Sequence, residues 1–308
     1  MWPFDDGVVA LFVVTLAIHA AFASYVVVGT GFALVRATTP LAARVRSWLP
    51  FMLGCAITAG VAPLLFTQLL YQRRFYTANL LLGPRWLAVV PALVVGFYAL
   101  YLAKASVRWR TIALGIALAC FGFVAWSWSE LHELMAADAT WAAFYAAGER
   151  VFTGGGIAPR LVVIVGAMAT QFAAIAAWSS DAAEQRVLGK IAVGGRVVAI
   201  AGALWLWQVG FDVSGDARVW FGVLVAAALI DTAAWLVIAR KRRQGALAVA
   251  TAAGSAALIA AVVVREAPRL ATIEAGHEAS GGWMFGVTFA IGAVLIAWVV
   301  RTVRAPAS

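Results

Sequence analysis

Charge is what this sequence has least of. Acidic and basic residues fill 12% of its 308 positions, about half the roughly 25% of an ordinary soluble domain. With 64% hydrophobic residues and a mean hydropathy of +0.92, the chain cannot cover itself with polar surface, so lipid is its solvent. Cysteine is also scarce. Cys55 and Cys120 both lie in apolar runs, and neither CxxC nor CxxCH occurs. That excludes a thiolate metal site and covalent haem attachment, and leaves both as small packing residues. HExxH, GxSxG and carboxylate clusters are missing too, so no catalytic group and no metal ligand set is predicted. "VFTGGG" at 151–156 is no phosphate loop, because no Lys-Ser/Thr pair follows it. The opening "MWPFDDG" has two aspartates and no basic residue, which argues against a cleaved signal peptide.

What the chain does have is long apolar runs. A bilayer core about 30 Å thick needs roughly 20 apolar residues per helix. Nine segments qualify: 7–35, 50–71, 86–103, 111–128, 161–179, 196–211, 219–239, 246–264 and 283–300. The sixth is short and could extend backward through "IAVGG". Continuous Ala, Leu and Val runs speak against the alternating strands of a β-barrel. The expected fold is all-α, a polytopic transmembrane helical bundle forming one domain over 1–308. Between 129 and 158, Leu131, Leu134, Met135, Trp141, Phe144 and Tyr145 are spaced as in a short amphipathic helix on the outer surface.

The net charge of +9 would suggest nucleic acid in a soluble protein. Here the basic residues cluster at helix ends, so nucleic acid is excluded and topology explains them. Fifteen lie on one side of the nine-span thread, in the groups from Arg36, Lys104, Arg186, Arg240 and Arg301, against eight on the other. This split puts the N-terminus outside and the C-terminus in the cytoplasm of a bacterial inner membrane. Tryptophans such as Trp48, Trp86, Trp109 and Trp128 fall at predicted helix ends, as an aromatic belt requires.

Polar groups at mid-bilayer are candidates for function, because each is costly unless it faces the bundle interior. Asp231, in "AALIDTAAWL", is the sharpest. It reads as a proton or cation relay, or as an interhelical hydrogen bond. No intramembrane Lys or Arg is available to pair with it, so a neutral carboxyl is expected. His19, in "LAIHAAFASY", reads as a b-type haem ligand or as a packing histidine. His132 and His277 fall in predicted outer loops. Gln68, Gln171 and Gln208 are the deep amides. Arg73 and Arg74 stand as a pair on the side that disfavours basic residues, so they read as an anion or partner contact. Glu130, Glu133 and Glu149 are the internal alternatives. Pro63 would bend its helix and free a carbonyl.

"GVAPLLFTQLLYQRRFYTANLL" at 60–81, His19, "ELMAADATWAAFY" at 133–145 and "VVREAPRL" at 263–270 together resemble a poorly characterised group of polytopic bacterial inner-membrane proteins. That group occurs in respiratory and c-type-cytochrome contexts. In it the fifth helix opens with Pro-Arg followed by a histidine, whereas "PRLVV" at 159–163 has none here. The resemblance implies a membrane subunit that docks or serves an electron-transfer partner, periplasmic or in the membrane, with quinone or haem b as the linked cofactor. The alternatives from the residues are a proton-coupled small-solute transporter using Asp231 and a purely structural membrane subunit.

Overall fold

The computed structural model describes residues 7–213, 215, 217–240 and 244–270, with isolated positions between 287 and 301. Among them there are helices and no strands. Eight helices are long and apolar enough to cross a membrane, and the chain is a multi-pass helical membrane protein. The expected ninth span at 283–300 lies outside the described residues, apart from those isolated positions. So do Lys241, Arg242, Arg243, His277 and Trp283.

The first helix, α1 (Gly7–Val35), coincides with the apolar run that predicts it. α2 (Pro40–Leu70) starts ten residues before its run, because Thr39 caps it and Pro40 takes the first turn. Short α3 (Gln72–Leu82) ends at Gly83, whose φ of 55° only glycine adopts without strain. Four-residue α4 (Pro84–Leu87) leads into α5 (Val89–Ala105), and the two together form one span. α6 (Arg110–Ala136) runs past its predicted end. A 3-10 turn at Asp138–Thr140 and α7 (Trp141–Ala146) follow. The predicted single amphipathic helix over 129–158 is therefore divided: its first part prolongs α6, and only α7 stands apart. α8 (Ile157–Ala177), α9 (Ala182–Gln208), α10 (Ala217–Arg240) and α11 (Gln244–Leu270) complete the bundle.

Consecutive helices pair as hairpins, α1 with α2, α5 with α6, α8 with α9 and α10 with α11. α1 is the central post, contacting α2, α6, α8 and α11. In lipid the apolar faces gain little from burial, so close approach and polar contacts hold helices together. The closest approach is α8 on α9. A methyl added at Gly166 would lie 2.6 Å from the Gly195 carbonyl oxygen, and one at Gly202 would lie 2.7 Å from the Val163 nitrogen. Backbone meets backbone there, and only glycine fits.

The core has two parts. One surrounds the end where α1 begins, the Gly7 end, and includes Val8, Phe12, Tyr71, Phe75, Leu131 and Phe144. The other extends to the opposite Val35 end, through Phe32, Leu49, Leu114, Phe172 and Trp235.

Candidate functional site

α9 begins at Ala182, so Arg196 is not the loop residue that the sequence suggests. It stands fourteen residues into the helix, about 20 Å of helix from either end. There its Nη2 donates to Asp231 Oδ2 of α10 at 2.7 Å. The expectation that Asp231 has no cationic partner is thus corrected. The charged pair satisfies the rule that intramembrane charges compensate one another. Asp231 is 1% exposed. Beside it, Gln171 of α8 donates through Nε2 to the carbonyl of Gly254 in α11 at 2.7 Å. One polar cluster at mid-bundle therefore ties α8, α9, α10 and α11.

His19 links α1 to α2. Its Nδ1 lies 2.9 Å from the Ala56 carbonyl oxygen. A carbonyl only accepts, so Nδ1 carries the proton and Nε2 keeps its lone pair. The ring packs on Gly60, where a methyl would come within 2.8 Å of Nδ1. The acceptor is not the carbonyl that Pro63 frees, which belongs to Ala59 one helical turn before the proline. Gln68 is half-buried in α2, and Gln208 is the exposed last residue of α9. Neither joins the mid-bundle cluster of Gln171.

The Gly7 end carries a second set of polar groups, which sequence reasoning left at the lipid surface. Arg74 donates to Asp138 Oδ2 at 2.9 Å and to the Met135 carbonyl at 3.1 Å, so the acid that answers it is Asp138. Glu130 and Glu133 are spent elsewhere. Glu130, fully buried, accepts from Arg85 Nε at 2.9 Å and from the Phe152 backbone N–H at 2.6 Å. Glu133 lies 3.7 Å from Arg160. Its carboxyl carbon fills the space over Gly154 and Gly156, 3.0 and 3.2 Å from where their methyls would sit. The "GGG" run is a cradle for a carboxylate of its own chain.

His132 lies in the last turns of α6, not in a loop, and is 5% exposed. Its Nδ1 is 2.6 Å from Arg265 Nη2. A guanidinium only donates, so Nδ1 accepts and the ring is neutral. Arg265 Nε also lies 3.4 Å from Glu266, which accepts from the Tyr71 hydroxyl at 3.1 Å. Glu266 is fully buried. Tyr71, at the junction of α2 and α3, is thereby joined to α11 and on to α6. Trp86 stacks on Trp128 with ring centroids 5.3 Å apart beside the Arg85–Glu130 pair. The signal in the sequence was the trio Glu130, Glu133 and Glu149, which sequence order alone could not pair with its arginines.

Three of the four stretches that carry the resemblance meet at this end: 60–81, 133–145 and 263–270 supply Tyr71, Arg74, Glu133, Asp138, Arg265 and Glu266. His19 sits deeper, between α1 and α2. Among the described residues, no group of three or more His, Cys, Asp and Glu side chains is placed to hold a metal ion. Comparison with family models, with curated proteins and with solved structures found no match to this chain.

Proposed function

We propose that this protein is a membrane subunit that docks an electron-transfer partner on its Gly7 end, and that this end faces outward from a bacterial inner membrane. One observation supports the reading most. Segments far apart in sequence, which carry the resemblance to a poorly characterised group found in respiratory contexts, converge on a single platform of ion pairs. Around it Tyr76, Leu80 and Tyr145 are exposed by 49%, 78% and 70%. Fixed charges beside exposed aromatic and aliphatic side chains are the composition of a protein-docking surface. Quinone or haem b remains the linked cofactor in this reading. His19 would hold haem through Nε2, since its Nδ1 is committed to Ala56.

The test is purification of the tagged full chain from its native membrane, with an absorption spectrum and identification of bound proteins. A redox protein should co-purify, and a Leu80→Ala/Tyr145→Ala variant should fold but lose it. Equal recovery with the variant, or no redox partner with either, rejects the reading. A cytoplasm-only reporter fused after Ser308 and a periplasm-only reporter inserted near Ala146 should both be active if the orientation is right.

A further inference from the structure

The mid-bundle cluster has hydrogen-bonding capacity left over. Arg196 uses Nη2 on Asp231, but its Nε–H is buried without an acceptor. Trp235, one turn beyond Asp231 and fully buried, has an indole N–H with no acceptor at hydrogen-bonding geometry, although the Asp231 carboxylate is near enough to interact with it. The hydrogen bond from Arg196 goes to Asp231 Oδ2, so Oδ1 is not used by it. Beside these groups the backbone of α11 leaves space for one methyl-sized group in ordinary contact. A methyl on the bare Cα of Gly254 would lie 3.4 Å from Asp231 Oδ1 and 3.4 Å from Gln171 Nε2. A buried recess edged by a carboxylate oxygen and an amide N–H, with two more donors unsatisfied nearby, meets the requirement for ordered water, which needs two to four polar partners.

We propose that this recess holds a water molecule and that Asp231 exchanges a proton through it. The site is then a proton-binding station at the centre of the bundle, whose ligand is the hydrated proton. A protonated water passes its proton to Oδ1 and is left as neutral water. The Arg196–Asp231 pair goes from zero net charge to one positive charge, carried by Arg196. That cation has somewhere to turn, because the Arg196 side chain is 13% exposed while Asp231 is 1% exposed. No other charge competes at close range. The remaining ionisable groups described on the helices packed around Asp231 are Arg160, Glu184, Arg186, Lys190, Arg265 and Glu266, all nearer helix ends. Helix α10 itself adds Arg218 and Arg240, one near each end.

Infrared difference spectroscopy of the full chain in lipid, during acidification in H2O and then D2O, tests this directly. The parent should show a protonated carboxyl stretch that shifts in D2O and is absent from Asp231→Asn. Gly254→Ala fits in ordinary contact, its methyl 3.4 Å from Asp231 Oδ1 and from Gln171 Nε2, and it takes the place of the water. It should keep the fold and lose rapid exchange, so that the D2O shift appears slowly. If Asp231→Asn fails to accumulate, Asp231→Glu serves instead, since it moves the band. Absence of an Asp231-dependent band at every pH the folded protein tolerates overturns the proposal. So does a Gly254→Ala protein that exchanges as fast as the parent.

Discussion

The two ends of this bundle are held by different chemistry. At the Val35 end, connections are closed by local caps. Thr39 accepts from the Ala42 N–H, and Asp181 and Glu184 form a reciprocal capping box at the start of α9. The ion pair there, Arg44 with Glu184, is partly exposed. At the Gly7 end, carboxylates are buried inside the fold: Glu130 is met by Arg85 of another helix, and Glu266 by its neighbour Arg265 and by the Tyr71 hydroxyl from outside its helix. Glu130 and Glu266 are both fully buried. The charge count behind the expected orientation treats both ends as surfaces. Of the two ends, only the second has fully buried carboxylates among the described residues, and such a pair matters because the buried acid cannot fall back on water.

The largest effect expected from that contrast is at Glu130. Glu130→Ala leaves the Arg85 guanidinium and the Phe152 N–H without their acceptor. Removing one partner of a buried pair costs about 3–5 kcal/mol, and the 25% exposure of Arg85 places this case toward the lower figure. Thermal unfolding in detergent should show a large loss of stability. A change as small as that of a surface variant would mean that the two ends do not differ in the way described.

Next comes the region between the ends, where α8 and α9 touch without charge. Gly166→Ala puts a methyl against the Gly195 carbonyl, with backbone on both sides and nothing flexible to give way. Overpacking of this kind costs about 1–3 kcal/mol. The variant should unfold earlier than the parent while Gly194→Ala, which meets no neighbour within 4 Å, should not. Equal behaviour of the two would show that backbone contact is not what joins this pair.

These predictions also mark what was legible. Helices were, because an apolar run of spanning length has few other fates in lipid, and α1 is predicted to the residue. The start of α9 was not. Arg186, Lys190 and Arg196 look like a loop when read in order, and Arg196 becomes an interior residue only through Asp231, 35 positions away. Pairing across helices leaves no local pattern. The same holds for Glu130 with Arg85 and for Arg74 with Asp138, 45 and 64 positions apart. The caps at Thr39 and Asp181, by contrast, are written within three or four residues. Among mid-membrane candidates, Asp231, Gln171 and His19 do engage other helices. Gln208 does not, because α9 ends there.

A smaller effect is expected from Arg44→Gln at the Val35 end. An ion pair open to solvent contributes about 0–1 kcal/mol, and Arg44 has side-chain exposure of 36%. The variant should unfold within that range of the parent, and the difference should shrink further in high salt. A loss comparable to that of Glu130→Ala would erase the distinction between the ends.

The smallest effect is set by pH at the same end. Asp181 lies just outside α9, and its carboxyl is held below the ordinary aspartate range. The backbone N–H of Glu184 contributes most, against an opposing desolvation, and the Ala183 N–H and the Arg44 and Arg186 charges add to it. A group whose folded value is depressed favours the charged form in the folded state, so its contribution is complete above the unfolded value, about 3.9. That contribution fades as pH falls through the lower, folded value. Asp181→Asn keeps an oxygen to cap α9 but has no charge to lose. The stability gap between parent and variant should therefore be small and constant near neutrality, and should close on acidification below about pH 4. A gap that stays open in acid would mean that shape, not charge, distinguishes the two caps. The Val35 end would then owe nothing to electrostatics beyond its exposed pair.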